Sequence, residues 1–301
     1  MKKIIAFFML ALITSCVSQD TQIKVLIVDG VNNHNWVATT KATKATLLQT
    51  GKFTVDVSTS PGKKASKEEW AKWNPDFSKY EVVVSNFNDG GKTLWSKATQ
   101  KSFESFVNNG GGFVPVHAAD NSSSDWLNYN KMIAVGGWGG RKAGKSGFLL
   151  RDQDGSWNKC CEKEGKSGGH GPQRDFLVKH DKPNHPIVAG LPTEWMHAKD
   201  ELYHSLRGPA ENVEVIASSL SKNGSKVREP MILVVKFGKG TICHLPMGHA
   251  NGKSLQCVGF QTILARSTEF AARGEVTIAA PANFPGKDKA VIVEPSKLLW
   301  K

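Results

Sequence analysis

Residues 110–121 read GGGFVPVHAADN. Three glycines close a helical pattern, and Phe113, Val114 and Val116 form a short apolar strand that runs directly into His117 and Asp120. From Asp125 the pattern turns helical again. A buried strand with polar residues at its C-terminal end and a helix beyond it is the unit of open α/β sheets, whose ligands bind outside those strand ends. The free N–H groups at the start of the next helix favour an anion or developing negative charge there. His117 is therefore the first candidate functional residue.

The same unit recurs upstream. KVLIV at 24–28 is a continuous apolar run, as expected of a parallel strand buried on both faces. Asp29 and Gly30 end it, and a polar loop with Asn32, Asn33, His34 and Trp36 follows. Residues 39–50 have helical spacing up to Gly51, and residues 53–57 alternate as a second strand. A lysine- and tryptophan-rich excursion, turned by Pro61 and Pro75, leads to EVVVS at 81–85 and then to Asn86, Asn88 and Asp89. Residues 96–109 are amphipathic, with Phe103, Phe106 and Val107 on one face. Alternating strands and helices predict an open, mostly parallel α/β sheet flanked by helices, of flavodoxin-like type.

Downstream, residues 136–171 are rich in Gly, Lys and Ser and read as a long insertion over the sheet's working edge. Residues 139–146, GGRKAGKS, have the GxxxxGKS/T spacing, but no strand feeds them as a phosphate loop requires, so that reading is rejected. Strands are expected at 173–179, 213–219, 230–237 and 240–245, the last two joined by a Gly238–Lys239 turn. A final helix is expected over 254–272, followed by a Pro- and Lys-rich tail. The organisation expected is a leader and linker over 1–21, one domain over 22–275 and a tail over 276–301.

Composition narrows the function classes. Of the 301 residues, 40% are hydrophobic, enough for a sizeable core. The net charge of +12 comes from singly scattered lysines rather than basic runs, which speaks for a solvated face and against nucleic acid. Lys2 and Lys3, the apolar run 4–13 and Ile13-Thr14-Ser15-Cys16 resemble a bacterial lipoprotein leader. That resemblance implies cleavage before Cys16, lipidation of Cys16 and a periplasmic or cell-surface protein on the membrane. An oxidising compartment permits disulfides among Cys160, Cys161, Cys243 and Cys257, with the pairing open.

Strand ends and one further motif supply the candidate chemistry. Asp29 with His34, Asn86 with Asp89, His117 with Asp120, and His249 each follow a strand, and neighbouring parallel strands bring such ends together. Asp200-Glu201-Leu202-Tyr203-His204 adds an acid and a His three apart. In this reading His117 is a general base or acid, and Glu201 with His204 is its proton partner. Asp29, His34, Asn86, Asp120 and His249 bind substrate or complete a proton relay. Trp126 and Trp138 are candidates for stacking on a ligand ring. No cofactor is required, although three histidines and a carboxylate can also ligate zinc. His170, His180, His185, His197 and His244 are read as structural. Neither a GxSxG elbow nor a buried-strand cysteine nucleophile is present, so a covalent acyl route is disfavoured.

VLIVDGVNNHNW at 25–36, YEVVVSNFND at 80–89, GGGFVPVHAADN at 110–121, HPIVAGLP at 185–192, DELYH at 200–204 and LPMGH at 245–249 together resemble the ThuA-like (trehalose utilisation) family. The resemblance spans most of residues 24–270. It implies a fold similar to class I glutamine amidotransferases without their catalytic cysteine. It also implies a role in carbohydrate metabolism, on sugars or keto-sugars made by partner dehydrogenases. GGWGGR at 136–141 departs from the family pattern, carrying Arg141 where relatives have a His. The alternatives are a glycan-binding module without catalysis and a metal-dependent hydrolase.

Overall fold

In the computed structural model, residues 22–141, 147–160, 165, 167–250, 253–297 and 300 are described. The leader with Cys16, and Cys161, lie outside them. A nine-stranded mixed, mostly parallel sheet organises the chain. Its first part is the predicted one. β1 (Ile23–Asp29), β2 (Phe53–Thr59), β3 (Val82–Ser85) and β4 (Gly112–Pro115) are parallel neighbours in the order β2-β1-β3-β4. They are connected through α1 (Trp36–Leu48), the short α2 (Lys67–Lys72) and α3 (Lys97–Asn108); α4 (Leu127–Ile133) follows β4. Ser96 caps α3 by accepting from the Thr99 N–H, and Ser66 with Glu69 forms a capping box on α2.

The second half departs from the simple alternation. β5 (Phe148–Arg151) and β6 (Trp157–Cys160) form a separate hairpin inside the glycine-rich insertion. β7 (Arg174–His180), β8 (Glu194–Asp200), β9 (Val213–Leu220), β10 (Arg228–Phe237) and β11 (Gly240–His244) complete the main sheet in the order β4-β11-β10-β9-β7-β8. β11 is parallel to β4, and every later neighbour pair is antiparallel. Two reversals between β11 and β9, and two more between β9 and β8, return β8 to the direction of β4. The C-terminal end of β8 therefore lies on the same edge of the sheet as those of β1, β3, β4 and β11.

Alternate strand residues feed two cores, as a period-two pleat requires. Val25, Ile27, Val82, Val84, Val114 and Val116 pack with Phe260, Ile263 and Leu264 of α5 (Val258–Arg273). Leu26, Val28, Val83 and Phe113 pack on the other face with Phe103, Trp126 and Met132. Helices thus cover both faces. Close approach of α5 to β4 requires glycine at 112, where a Cβ would sit 2.6 Å from the Ala271 carbonyl oxygen. The tail joins this packing: Ile278 is buried, and Phe284 meets the Trp195 ring edge-on at 5.6 Å. Among the described residues no helix is long and apolar enough to cross a membrane, and Cys160, Cys243 and Cys257 are free thiols.

Candidate functional site

Four side chains from four segments meet at the C-terminal edge of the sheet. His117 opens the turn after β4, His34 sits in the loop after β1, His249 follows β11, and Glu201 follows β8. One donor atom from each lies within 4.8 Å of all the others. Glu201 Oε2 is 3.7 Å from His117 Nε2, and Glu201 Oε1 is 3.4 Å from His249 Nε2. The His34 ring is 4.4 Å from that of His249 and 5.1 Å from that of His117.

Local structure fixes each group. His117 has φ +47, a left-handed conformation that costs a non-glycine residue on the order of 1–3 kcal/mol. Its N–H donates to the Leu245 carbonyl at 2.8 Å, which ties the strained turn to the neighbouring chain. Its Nδ1 faces the Pro246 carbonyl at 3.4 Å, leaving Nε2 turned toward Glu201. Gly248, at φ +106, makes the turn before His249; a Cβ there would meet the Phe260 ring at 2.6 Å. Gln173 holds its amide nitrogen 3.2 Å from His249 Nδ1.

The site's electrostatics separate its members. Burial, helped by His117 and His249, pushes His34 down to about 4. Burial and then His117 also lower His249. Both rings therefore present lone pairs at neutral pH. Burial opposes the charge of His117, but the facing Glu201 carboxylate and the fields of Asp200 and Asp120 outweigh it and raise its pKa. Glu201 is lowered: burial opposes its charge, and His117 and His249 prevail.

Several expected site residues lie elsewhere. Asp29 is buried and accepts from the Thr40 hydroxyl at 2.6 Å, while Asn86 donates to the same hydroxyl at 3.0 Å and to the Trp36 carbonyl at 3.3 Å. Together they pin the start of α1 and hence the loop that carries His34. Asp120 pairs with His244 at 3.2 Å, fully buried, and is not one of the four. His204 is not Glu201's proton partner. Residues 201–204 are extended rather than helical, so Glu201 and Tyr203 face the hollow while Leu202 and His204 turn away. The His204 ring is held between Gly169 and Gly224, where Cβ atoms would come within 2.6 and 2.3 Å of it, and its Nδ1 contacts the Ser205 hydroxyl at 3.0 Å. Trp126 is core, donating to Glu104.

Two groups on the hollow were not singled out by sequence. His170 lies in the glycine-rich insertion with Nδ1 3.8 Å from Glu201 Oε1 and 2.9 Å from the Gly171 carbonyl. Tyr203 lies against His117 with ring centroids 4.3 Å apart. Burial raises the Tyr203 hydroxyl well above its ordinary value and keeps its proton. Trp138, partly exposed, meets Tyr203 edge-on at 5.0 Å. These walls enclose a cavity of about 300 Å³, also lined by Asn33, Lys63 and Asn121.

The four donors suit a divalent cation. Tetrahedral ligation at about 2.0–2.2 Å places donor atoms roughly 3.3–3.6 Å apart, close to the two separations above. His117 Nε2 and Glu201 Oε2 are buried, lack hydrogen-bond partners and face each other. Three imidazoles and one carboxylate favour zinc or a neighbouring transition ion over magnesium or calcium. Arg141 is too far committed to take part: its guanidinium donates to Asn130, Gly137 and Ser122.

Comparison with known proteins agrees with this architecture. The family model for ThuA, described as trehalose utilisation, matches residues 24–271. A crystal structure of a ThuA-like protein from Parabacteroides merdae is 36% identical, with a TM-score of 0.86 over 92% of this chain and 99% of that one. A ThuA-like protein from Bacteroides uniformis, 20% identical, shares the fold with a TM-score of 0.56 over 86% of this chain and 95% of that one. No curated protein matches the chain. With the family model covering most of its length, the chain belongs to the ThuA (trehalose utilisation) family.

Proposed function

We propose that the chain is a carbohydrate-acting enzyme whose chemistry runs at one divalent cation held by His34, His117, Glu201 and His249. The observation that carries the reading is the convergence of those four donor atoms within 4.8 Å. Such a cation supplies Lewis-acid polarisation of a substrate oxygen at neutral pH. Glu201 supplies the negative charge of the centre, and the three imidazoles complete it. His170 stands beside the centre without belonging to it, in position to hold or move a proton. Trp138 and Tyr203 offer an aromatic wall for a sugar ring, and Asn33 and Lys63 offer donors for its hydroxyls. A cavity of about 300 Å³ lies at the small end of ligand pockets and suits one ring, a sugar or keto-sugar. Support for carbohydrate comes from the family's description. Partnership with sugar dehydrogenases and lipid-anchored export through Cys16 belong to the same proposal; the latter rests on the leader sequence.

The test is turnover of a panel of sugars and keto-sugars by metal-loaded and chelator-stripped protein, with product analysis. Turnover restored by zinc or another transition ion supports the proposal. Full activity in stripped protein returns the chemistry to His117 and Glu201 as an acid–base pair without a cation. Binding without product identifies a glycan-binding module.

A further inference from the structure

Glu201 and His249 reach the centre from different elements, the end of β8 and the loop after β11. One side chain joins those two backbones. Asp200 is fully buried and lines no part of the cavity. Its Oδ1 accepts from the backbone N–H of Glu201 at 2.7 Å and of His249 at 3.2 Å. Its Oδ2 accepts from the Gly248 N–H at 2.7 Å and faces His197 Nε2 at 2.8 Å. His197 is itself fully buried.

We propose that Asp200 is the positioning residue of the centre, clasping the backbones of Glu201 and His249 in one carboxylate and so setting the separation of their donor atoms. The inference rests on the reading of the hollow as a metal centre and adds a residue that never touches the ion. Only an ionised carboxylate can serve all four donors. An asparagine would turn an NH₂ group, itself a donor, toward N–H groups that need acceptors. N–H···O⁻ bonds are also shorter and stronger than neutral ones. The Gly248 turn depends on the same clasp, because its N–H has Asp200 as acceptor. Outer partners that orient ligands usually do so through the ligand ring; Asp200 does it through the peptide groups that carry two ligands at once.

The experiment compares Asp200→Asn with the wild-type chain by zinc affinity, from competition with a chromophoric chelator, and by the visible absorption of the cobalt-loaded protein. The expected result is zinc binding weakened about 10–100-fold, with an altered cobalt spectrum and recovery of occupancy at excess zinc. Glu269→Gln is the control for a purely structural role. Glu269 is also buried and accepts from the N–H groups of Thr277 and Ile278, near the C-terminal end of α5. That variant should lose stability and keep wild-type zinc affinity and spectrum. Should Asp200→Asn not fold, His197→Gln frees one contact of the carboxylate, and zinc should weaken several-fold. Zinc affinity in the foldable variant within about threefold of wild type, or a loss no larger than that of Glu269→Gln, overturns the proposal. A wild-type chain that binds neither zinc nor cobalt overturns the metal reading and this inference with it, which equal binding by variant and wild type does not.

Discussion

Glu201→Gln removes the single negative charge of the ligand set while keeping its shape. Zinc sites with four protein ligands bind with about 10–16 kcal/mol, or roughly 2.5–4 kcal/mol for each ligand. At about 1.4 kcal/mol per decade, losing the carboxylate should weaken zinc roughly 10²–10³-fold. Glu201 faces His249 at 3.4 Å and His117 at 3.7 Å, so both separations lose their charged member. A chelator-competition titration reads the loss directly. Thermal unfolding reads it a second way. At a fixed zinc level above both dissociation constants, a 100-fold weaker site loses about 2.7 kcal/mol of ligand-linked stability. For a domain of this size that is a zinc-induced rise in Tm smaller by roughly 5–10 °C. The comparison must be made with and without zinc, because the substitution also changes the metal-free protein. Zinc affinity and zinc-induced Tm shift equal to wild type would refute the assignment of Glu201 as a ligand.

Three further outcomes follow from the geometry. His204→Ala should lower stability by about 1–3 kcal/mol in urea unfolding, through loss of packing between Gly169 and Gly224, and leave zinc affinity unchanged; a large fall in affinity would return His204 to the site. Trp138→Ala should weaken sugar binding in calorimetry by about 1 kcal/mol or more without changing metal content, if that ring is the stacking wall. In chelator-treated protein, two buried histidines should shape stability in opposite directions. His197 is raised to about 9: burial opposes its charge, and Asp200 with the neighbouring Cys257 outweighs it, so its contribution is full below pH 6.5 and lost as pH rises toward 9. His180 is lowered to about 4 by burial and then by Arg266, so stability is lost as pH falls from 6.5 toward 4. His197→Gln should flatten the alkaline limb and His180→Gln the acid limb, each by at most about 3 kcal/mol; limbs unchanged in urea titrations across pH would contradict both assignments.

How much of this was legible in the sequence depended on the signal each segment carried. KVLIV, EVVVS and the strand before His117 are apolar runs buried on both faces, and such runs announce a parallel sheet. β8, EWMHAKD, mixes charge with apolar residues because it is an edge strand, and it gave no comparable signal. That strand matters most for the site, since its direction delivers Glu201 to the right edge. In DELYH the acid and the His three residues on lie on opposite sides of an extended chain, so their spacing alone did not make them partners. Asp29 and Asn86 were rightly placed at strand ends, yet their side chains turn inward to Thr40. His170 had no periodicity around it, only glycines, and no local pattern could bring it beside Glu201.

The most direct measurement is the metal content of the chain purified without chelators, with the ion located by anomalous scattering. The account predicts one equivalent of a divalent transition ion per chain, centred among the ring nitrogens of His34, His117 and His249 and the carboxylate of Glu201. A chain that takes up no such ion when supplied with zinc, or an ion bound at another place, would contradict it.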